Sequence, residues 1–452
     1  MTDVIILAAG KGTRMRSSKP KVLHTIGAKP LVQHVIDCAK ELNAEKAIVV
    51  VGHGGEEVKA EVSGEALVFV EQTEQLGTGH AVAQALPELN ENKPVLILYG
   101  DVPLIQPETL KTLLSGVSDN SMALLTVELA NPTGYGRIIR NKNGDVEAIV
   151  EQKDASDEQL AICEGNTGVM AVNSNKLQAW LPKLSNNNAQ GEYYLTDIIE
   201  MARSEAMDVV AVKAANEVEV AGINNRLQQA ELERAFQKLE AEKLMQQGLC
   251  LLDPARFDLR GSLTVGMDCE IDVNCVIIGQ VELGNNVTVG PNCVLKNVKI
   301  GDKTNIDANS VLEDSTVGER CQIGPYARLR PATVLANGAK IGNFVETKKA
   351  TIGLGSKVNH LSYVGDAKVG DGVNIGAGTI TCNYDGVNKS LTEIEDGAFI
   401  GSNTALVAPV KIGLNSTVAA GSTVTKGSEE GQLVLSRAKQ RNIDGWARPS
   451  KK

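Results

Sequence analysis

The segment 323–341, IGPYARLRPATVLANGAKI, sets an aliphatic residue at every sixth position: Ile323, Leu329, Leu335 and Ile341. The spacing continues in both directions. Upstream it runs through Val265, Ile271, Ile277, Leu283, Val289 and Leu295, then through Ile300, Ile306 and Leu312 to Val317, with a step of five at each break. Downstream come Thr347, then Ile352, Val358 and Val364, then Val369, Ile375 and Thr381. A gap of thirteen leads to Ile394, Ile400, Leu406, Ile412, Val418 and Val424. Of these 27 positions, 25 are Ile, Leu or Val, so the register is not accidental. A period of six matches neither the 3.6 of a helix nor the alternation of a strand. It fits a chain coiling through short flat sides, each turning one aliphatic residue inward, which is a hexapeptide-repeat parallel β-helix.

The breaks fall after multiples of three hexads, as three-sided coils of about 18 residues require. Nine such coils, stacked at the inter-strand spacing, give a prism about 40 Å long. Gly often follows the aliphatic residue, as at Gly301, Gly324, Gly342, Gly353, Gly376, Gly401 and Gly413. The expectation is that these glycines form the corners. Cys269, Cys275, Cys293 and Cys321 each stand four residues after an inward position, which predicts a small, half-buried site there. A β-sandwich would instead show alternation with turn clusters every 8–12 residues.

A chain of 452 residues predicts two or three domains. Net charge −10 argues against a general nucleic-acid or membrane-surface binder. No apolar run reaches the length of a membrane span, and Met1-Thr2-Asp3 ahead of a strand pattern is no signal peptide, so a cytoplasmic protein is expected. The eight cysteines form no C-x-x-C pair, which disfavours structural zinc or a disulfide framework. Aromatic residues, at 3%, are scarce enough to suit a narrow prism.

Residues 1–226 read differently. Apolar runs at Val4–Leu7, Ala47–Val51, Leu67–Val70 and Val95–Leu98 alternate with helix-like stretches such as Leu31–Leu42 and Gly79–Leu86. Buried strands with helical crossovers predict an α/β domain, Rossmann-like, around a mostly parallel sheet. Leu232, Phe236 and Leu239 then follow helical spacing within a charged segment, which predicts a linker helix over 227–247 capped by Gly248. The repeat domain with its basic tail fills 248–452.

The string Leu7-Ala8-Ala9-Gly10-Lys11-Gly12-Thr13-Arg14-Met15, followed by Pro20-Lys21, opens at the end of the first strand. Small residues let backbone N–H groups approach an anion, and Arg14 and Lys21 add charge for a polyphosphate. Met15 stands where a dinucleotide fingerprint needs its third glycine, and the string is not a P-loop. Tyr99-Gly100-Asp101 puts an acid at the carboxyl edge of another strand, where ligands gather in open α/β sheets and where Mg²⁺ accepts one or two carboxylates.

The string L-A-A-G-x-G-T-R-M…P-K resembles the sugar-nucleotidyltransferase family. With Glu74–His80, Pro132–Arg137, Asn187–Tyr194, Ile323–Pro331, Gly342–Glu346, Asn374–Asp385 and Gly401-Ser402, the whole chain resembles the bifunctional bacterial N-acetylglucosamine-1-phosphate uridyltransferase / glucosamine-1-phosphate N-acetyltransferase family. The resemblance implies that Leu7, Ala8, Ala9, Gly10 and Lys21 contact the nucleotide and that Gln72, Gly77 and Thr78 read the uracil. It implies that Tyr99, Gly100, Gly136, Glu151, Asn166 and Asn224 line the sugar nucleotide, and that Asp101 and Asn224 hold Mg²⁺. Arg14 and Lys21 are the expected catalytic cations. In the repeat domain it implies Arg330, Lys348, Tyr363 and Asn374 for glucosamine 1-phosphate. For acetyl-CoA it implies Ala377, Asn383, Tyr384, Ser402, Ala420 and Arg437.

The resemblance makes His360 the general base. Its count supports this: of five histidines, His24, His34, His53 and His80 all lie in the first domain. An amine must be unprotonated to attack a thioester, and imidazole titrates near the working pH. Glu346 is a weaker expectation as a residue that orients His360. Arg437 suits a CoA phosphate.

The expected activity is therefore acetyl transfer from acetyl-CoA to glucosamine 1-phosphate, then uridylyl transfer from UTP, giving UDP-N-acetylglucosamine for peptidoglycan and lipopolysaccharide synthesis. Left-handed coiling and a homotrimer with acetyl-transfer sites shared between prisms are likewise implied by the resemblance. Two alternatives stay open on sequence: a monofunctional sugar-1-phosphate nucleotidyltransferase whose β-helix only oligomerises or regulates, and a non-enzymatic β-helix scaffold.

Overall fold

A computed structural model describes residues 2–451. It divides into two compact units, 1–236 and 237–452, with the division inside the helix Arg226–Gln246.

The first unit is built on a nine-stranded sheet. Its main path runs Asp208–Lys213, Ser121–Glu128, Glu164–Asn173, Pro94–Tyr99, Asp3–Leu7, Lys46–Val51 and Leu67–Glu71. Along this path only Glu164–Asn173 runs antiparallel to its neighbours. Alternate residues enter two different cores, which is why the strands read as unbroken apolar runs. Val4 and Ile6 pack with Val49, Leu96 and the helices Leu31–Glu41 and Pro107–Ser115. Ile5 packs on the opposite face with Ile48, Ile97 and the helices Thr78–Ala85 and Ser174–Trp180. Each fully buried aliphatic side chain contributes about 1.5–3 kcal/mol.

Asp3–Leu7 pairs with Lys46–Val51 on one side and Pro94–Tyr99 on the other, both parallel, with Leu7 opposite Tyr99. Successive crossovers leave this central strand towards opposite edges of the sheet. A crevice therefore opens beyond the carboxyl ends of Leu7 and Tyr99, the place where such sheets bind ligands. The antiparallel hairpin Arg137–Arg140/Val146–Val150 attaches to Glu164–Asn173 through Arg137 and Gly165.

The second unit is a parallel β-helix. One face is an 11-stranded sheet, and a 13-stranded sheet folds round the remaining faces. Its strands pair one coil apart: Ile271 with Val289, Ile277 with Leu295 and Leu283 with Ile300. Val369 pairs with Ile394, so the long gap in the repeat is an insertion within one coil. The aliphatic columns extend further than the sequence spacing suggested, from Leu251 opposite Ile271 to Val434 opposite Val418. Thr347 and Thr381, the two polar members of the columns, are buried. Thr347 Oγ1 lies 3.1 Å from Thr333 Oγ1, and Thr381 Oγ1 accepts from Gly365 N–H at 2.8 Å.

Two expectations about the hexad need correction. Most corners turn two or three residues after the inward position, not one: Asn274, Asn292 and Asn309 have φ of 60°, 60° and 62°, Gly355 has 65°, and at a five-residue step Asn297 has 49°. The glycines immediately after the inward residue, apart from Gly324 at φ 98°, answer a different demand. A Cβ on Gly301 would lie 2.7 Å from the Gly318 backbone in the next coil, so stacking leaves no room for a side chain. The cysteine position is also fully buried rather than half-buried. Its small side chains reach backbone carbonyls of the following coil, as Cys275 Sγ reaches Gly290 O at 3.2 Å and Thr304 Oγ1 reaches Gly318 O at 2.8 Å.

The end of the helix within this unit closes the first coil. Ala241 and Leu244 join the prism core. Buried Gln237 donates to Leu259 O at 2.8 Å and accepts from Leu259 N–H at 2.7 Å, pairing a strand edge that would otherwise stay open. Gly248, at φ 104°, ends the helix, with Leu249 N–H bonded to Leu244 O and Gly248 N–H to Met245 O. Among the described residues no helix is long and apolar enough to cross a membrane.

Candidate active sites

In the first unit Leu7, Ala8, Ala9, Gly10, Lys21, Gln72, Gly77, Thr78, Tyr99 and Asp101 all line one cavity of about 230 Å³ at the crevice. Gly100 sits behind it, where a Cβ would come 3.2 Å from Leu7 O. One end of the cavity is charged. Lys21 Nζ is ion-paired with Asp101 and donates to Asn224 Oδ1 at 3.2 Å, and Arg14 Nη2 donates to the same oxygen at 2.9 Å. A carboxylate and an amide oxygen thus converge on one cationic point. That donor set suits a hard divalent ion, with phosphate and water completing the shell.

The other end carries no cation among the described residues and is tightly framed. Gly77 has φ 112°, and a Cβ there would meet Tyr193 O at 2.6 Å, so only glycine fits. Gln75, which sequence reasoning did not single out, lines the cavity and donates to Ala9 O at 2.7 Å. Glu192 lines it too, from a loop far away in sequence.

Gly136, Glu151 and Asn166 form a neighbouring group. Asn166 N–H donates to Gly136 O at 2.8 Å, and a Cβ on Gly136 would lie 3.4 Å from Glu151 Oε1. Burial raises the Glu151 carboxyl above the ordinary range, and a hydrogen bond from Thr196 only partly opposes this. Burial likewise pushes the Tyr99 phenol up, with the charges of Glu151 and Asp101 adding to it. Tyr99 is held by its neighbour Gly168, whose φ of 81° belongs to glycine and whose Cβ would strike the ring.

In the second unit the expected residues fall into two groups. The first follows one edge of the prism. Asn343 is opposite His360, Gly378 N–H bonds to His360 O, and Asn403 N–H bonds to Ala377 O. Gly421 N–H bonds to Ser402 O, and Arg437 Nη1 donates to Ala420 O at 3.0 Å. His360, Ala377, Ser402 and Ala420 therefore succeed one another along the stack, about 4.8 Å per coil. Such a line suits a long, extended ligand.

His360 is exposed, and its Nδ1 lies 2.6 Å from Asn343 Oδ1. An amide oxygen accepts, so Nδ1 carries the proton and Nε2 keeps its lone pair. Asn343 stood in a quoted motif without a role; only the pairing of coils reveals one. Glu346 does not reach His360 by any hydrogen bond among the described residues. It pairs with Arg330 at 2.8 Å and lies 3.8 Å from Arg328.

The second group is cationic. Lys348 stands near Lys389 and Arg330, whose charges, Lys389 first, hold its ammonium below the usual range. Lys348 and Lys389 thus lie together beside the Arg330–Glu346 pair, a positive cluster that suits an anion, and Lys389 was absent from the sequence reading. Tyr363 is opposite Glu346 and folds over Gly365, which has no space for a Cβ. Asn374 sits on the other sheet, opposite Lys357 and Phe399. In the inserted loop Asn383 is buried and bonded to Asp366, while Tyr384 is 59% exposed and donates to Gly386 O.

Comparison with known proteins agrees with this division. Residues 4–154 match the MobA-like NTP transferase domain, 259–358 match the GMPPB C-terminal domain, and 392–426 match the hexapeptide repeat of succinyl-transferase. The bifunctional protein GlmU of Saccharophagus degradans is 66% identical over all 452 residues, with full coverage of both chains. The proteins of the same name from Cellvibrio japonicus and Marinobacter nauticus are 61% and 58% identical, covering 100% and 99% of each chain. The monofunctional and scaffold alternatives account for neither the full-length match nor the paired domains. The chain belongs to the family of the bifunctional protein GlmU, as an enzyme that joins a nucleotidyltransferase to a left-handed β-helix acetyltransferase and makes UDP-N-acetylglucosamine in two steps.

Proposed function

We propose that residues 1–226 carry the uridylyl transfer, that 227–247 link the domains, and that 248–452 carry the acetyl transfer. The observation that bears most weight is the convergence of Arg14, Lys21, Asp101 and Asn224 at the charged end of the first cavity. Attack of N-acetylglucosamine 1-phosphate on the α-phosphorus of UTP, which displaces pyrophosphate, brings two anions together. It needs positioning and charge neutralisation rather than a protein nucleophile. Lys21 and Arg14 supply fixed positive charge, while Gln72, Gly77 and Thr78 hold the base. Tyr99, Gly136, Glu151 and Asn166 hold the sugar. Asp101 and Asn224 would hold Mg²⁺, which when bound adds charge at the phosphates.

In the acetyl-transfer site His360 Nε2 takes the proton from the amine of glucosamine 1-phosphate as the nitrogen attacks the thioester carbonyl; the C–S bond then breaks and CoA leaves as the thiol, taking up the proton that His360 holds. Arg330, Lys348 and Tyr363 hold the sugar phosphate with Asn374. Acetyl-CoA extends along Ala377, Ser402 and Ala420 to Arg437, flanked by Asn383 and Tyr384. The active form is a homotrimer, in which the exposed row Tyr326, Phe344 and Leu361 beside this edge is covered by a neighbouring copy. The enzyme works in the cytoplasm, where UTP and acetyl-CoA are supplied.

The test is to assay both half-reactions on Asp101→Ala and His360→Ala. Asp101→Ala should lose uridylyl transfer and keep acetyl transfer, and His360→Ala the reverse, with losses of about 10²–10⁴-fold in each case. Loss of both activities in either variant, at unchanged melting temperature, would contradict the assignment.

A further inference from the structure

At the end of the first cavity away from Lys21 and Asp101, Gln72 is 4% exposed, and its side-chain nitrogen is held twice. Nε2 donates to Gly77 O at 3.2 Å and lies 3.0 Å from His80 Nδ1. The Gly77 carbonyl can only accept, so the amide nitrogen must face it. The second contact then requires His80 Nδ1 to accept too, which selects the neutral tautomer protonated at Nε2. His80 Nε2 lies 3.2 Å from the half-buried Gln84 amide, which also bonds to His80 O. Gln84 can turn its oxygen towards that N–H and find other partners in water. Gln72 cannot turn without setting its oxygen against the Gly77 carbonyl.

With both hydrogens of Nε2 committed, Oε1 is the atom of Gln72 left for a ligand. It forms no hydrogen bond among the described residues and is not sealed from solvent, and Gln72 lines the cavity. The cavity therefore offers a fixed acceptor. Uracil presents an N3–H donor. Cytosine presents a bare N3 acceptor at the same edge, and two acceptors facing each other in a closed site repel.

We propose that His80 is a positioning residue for nucleotide specificity: by locking the Gln72 amide it makes the site accept UTP and refuse CTP. This rests on the reading that Gln72 meets the base. A site built around one hydrogen bond discriminates strongly against the analogue that cannot form it, because the buried group is then left unpaired. Without the imidazole acceptor the amide is held only by Gly77. The second Nε2 hydrogen is then released and can meet cytosine N3, while the first stays on the Gly77 carbonyl.

The experiment measures kcat/KM for UTP and for CTP in the full-length enzyme, with Gln72→Ala, His80→Leu, His80→Ala and His80→Asn. Asn places an amide oxygen near the position of Nδ1, so His80→Asn should keep most of the UTP preference. His80→Leu, or His80→Ala should Leu not fold, should lower the UTP/CTP ratio at least tenfold, chiefly through better use of CTP. If Gln72→Ala collapses the ratio while the two apolar His80 variants preserve it, the lock is wrong and the base reading survives. If the apolar variants lower both nucleotides equally, His80 is merely structural and the proposal fails. If Gln72→Ala leaves the ratio unchanged, Gln72 does not meet the base and both ideas fall.

Discussion

In the first unit Leu7, Lys21, Gln72 and Asp101 come from four separated stretches of chain and meet around one cavity. In the second unit His360, Ala377, Ser402 and Ala420 come one from each coil and lie in file along an edge. The first arrangement is concave and largely complete. Lys21 and Asp101 are about 15% exposed at the side chain and already bonded to each other. The second is convex: His360 and Arg437 are exposed, and a prism edge has no opposite wall. A crossover sheet makes its own crevice, because strand order reverses beside the central strand. A solenoid repeats one surface and makes a pocket only where another body faces it.

The widest test of this difference is complementation. Co-expressing His360→Ala with Lys348→Ala chains should restore acetyl transfer in mixed oligomers. If His360 and Lys348 of one site come from neighbouring copies, random mixing returns about a quarter of the sites. Co-expressing Asp101→Ala with Gln72→Ala should restore no uridylyl transfer beyond the sum of the two variants, since that cavity is made by one chain. Recovery in the second pair, or its absence in the first, would remove the contrast between enclosed and shared sites.

A smaller effect distinguishes how the two sites fix their reactive groups. In the cavity Lys21 is held by two partners, but on the edge His360 depends on Asn343. Asn343→Ala should lower kcat for acetyl transfer by about ten- to a hundredfold, a fraction of what general-base catalysis supplies. Uridylyl transfer and the melting temperature should be unchanged. Asn343→Asp, which keeps an acceptor for Nδ1–H, should recover part of the loss and shift the pH profile. An unaltered profile in both variants would mean that the tautomer is set by something else.

Asn343 also marks the limit of what could be read from the sequence. The α/β order, the six-residue columns and the Leu7–Gly10 loop were legible because each follows a local period or a contiguous string. Lys389 and Gln75 were not, since their partners lie 41 and 66 residues away, at Lys348 and Ala9, and nothing local marks the pairing. Glu346 was expected to orient His360, yet its carboxylate bonds to Arg330. In a solenoid the relevant neighbour is one coil away, not one residue away.

The same principle separates two glycines that look alike on paper. Gly301 follows an inward Ile300 and has another coil's backbone where its Cβ would be. Gly355 sits three residues after Ile352 at φ 65°, with nothing within 4 Å of a Cβ. Gly301→Ala should therefore overpack the stack and cost about 1–3 kcal/mol. Gly355→Ala should cost about 1 kcal/mol, from the left-handed backbone alone. Asparagine discriminates further: it already occupies corners 274, 292 and 309 with φ near 60°, so Gly355→Asn should be nearly neutral while Gly301→Asn is at least as damaging as alanine. For a unit of this size 1 kcal/mol moves the melting temperature by about 2–4 °C, which thermal unfolding followed by circular dichroism resolves. Equal shifts at the two positions would mean that the repeat spends its glycines on conformation everywhere. The predicted order, with Gly301 worse and Gly355 rescued by Asn, assigns the first to coil-to-coil contact and the second to the corner.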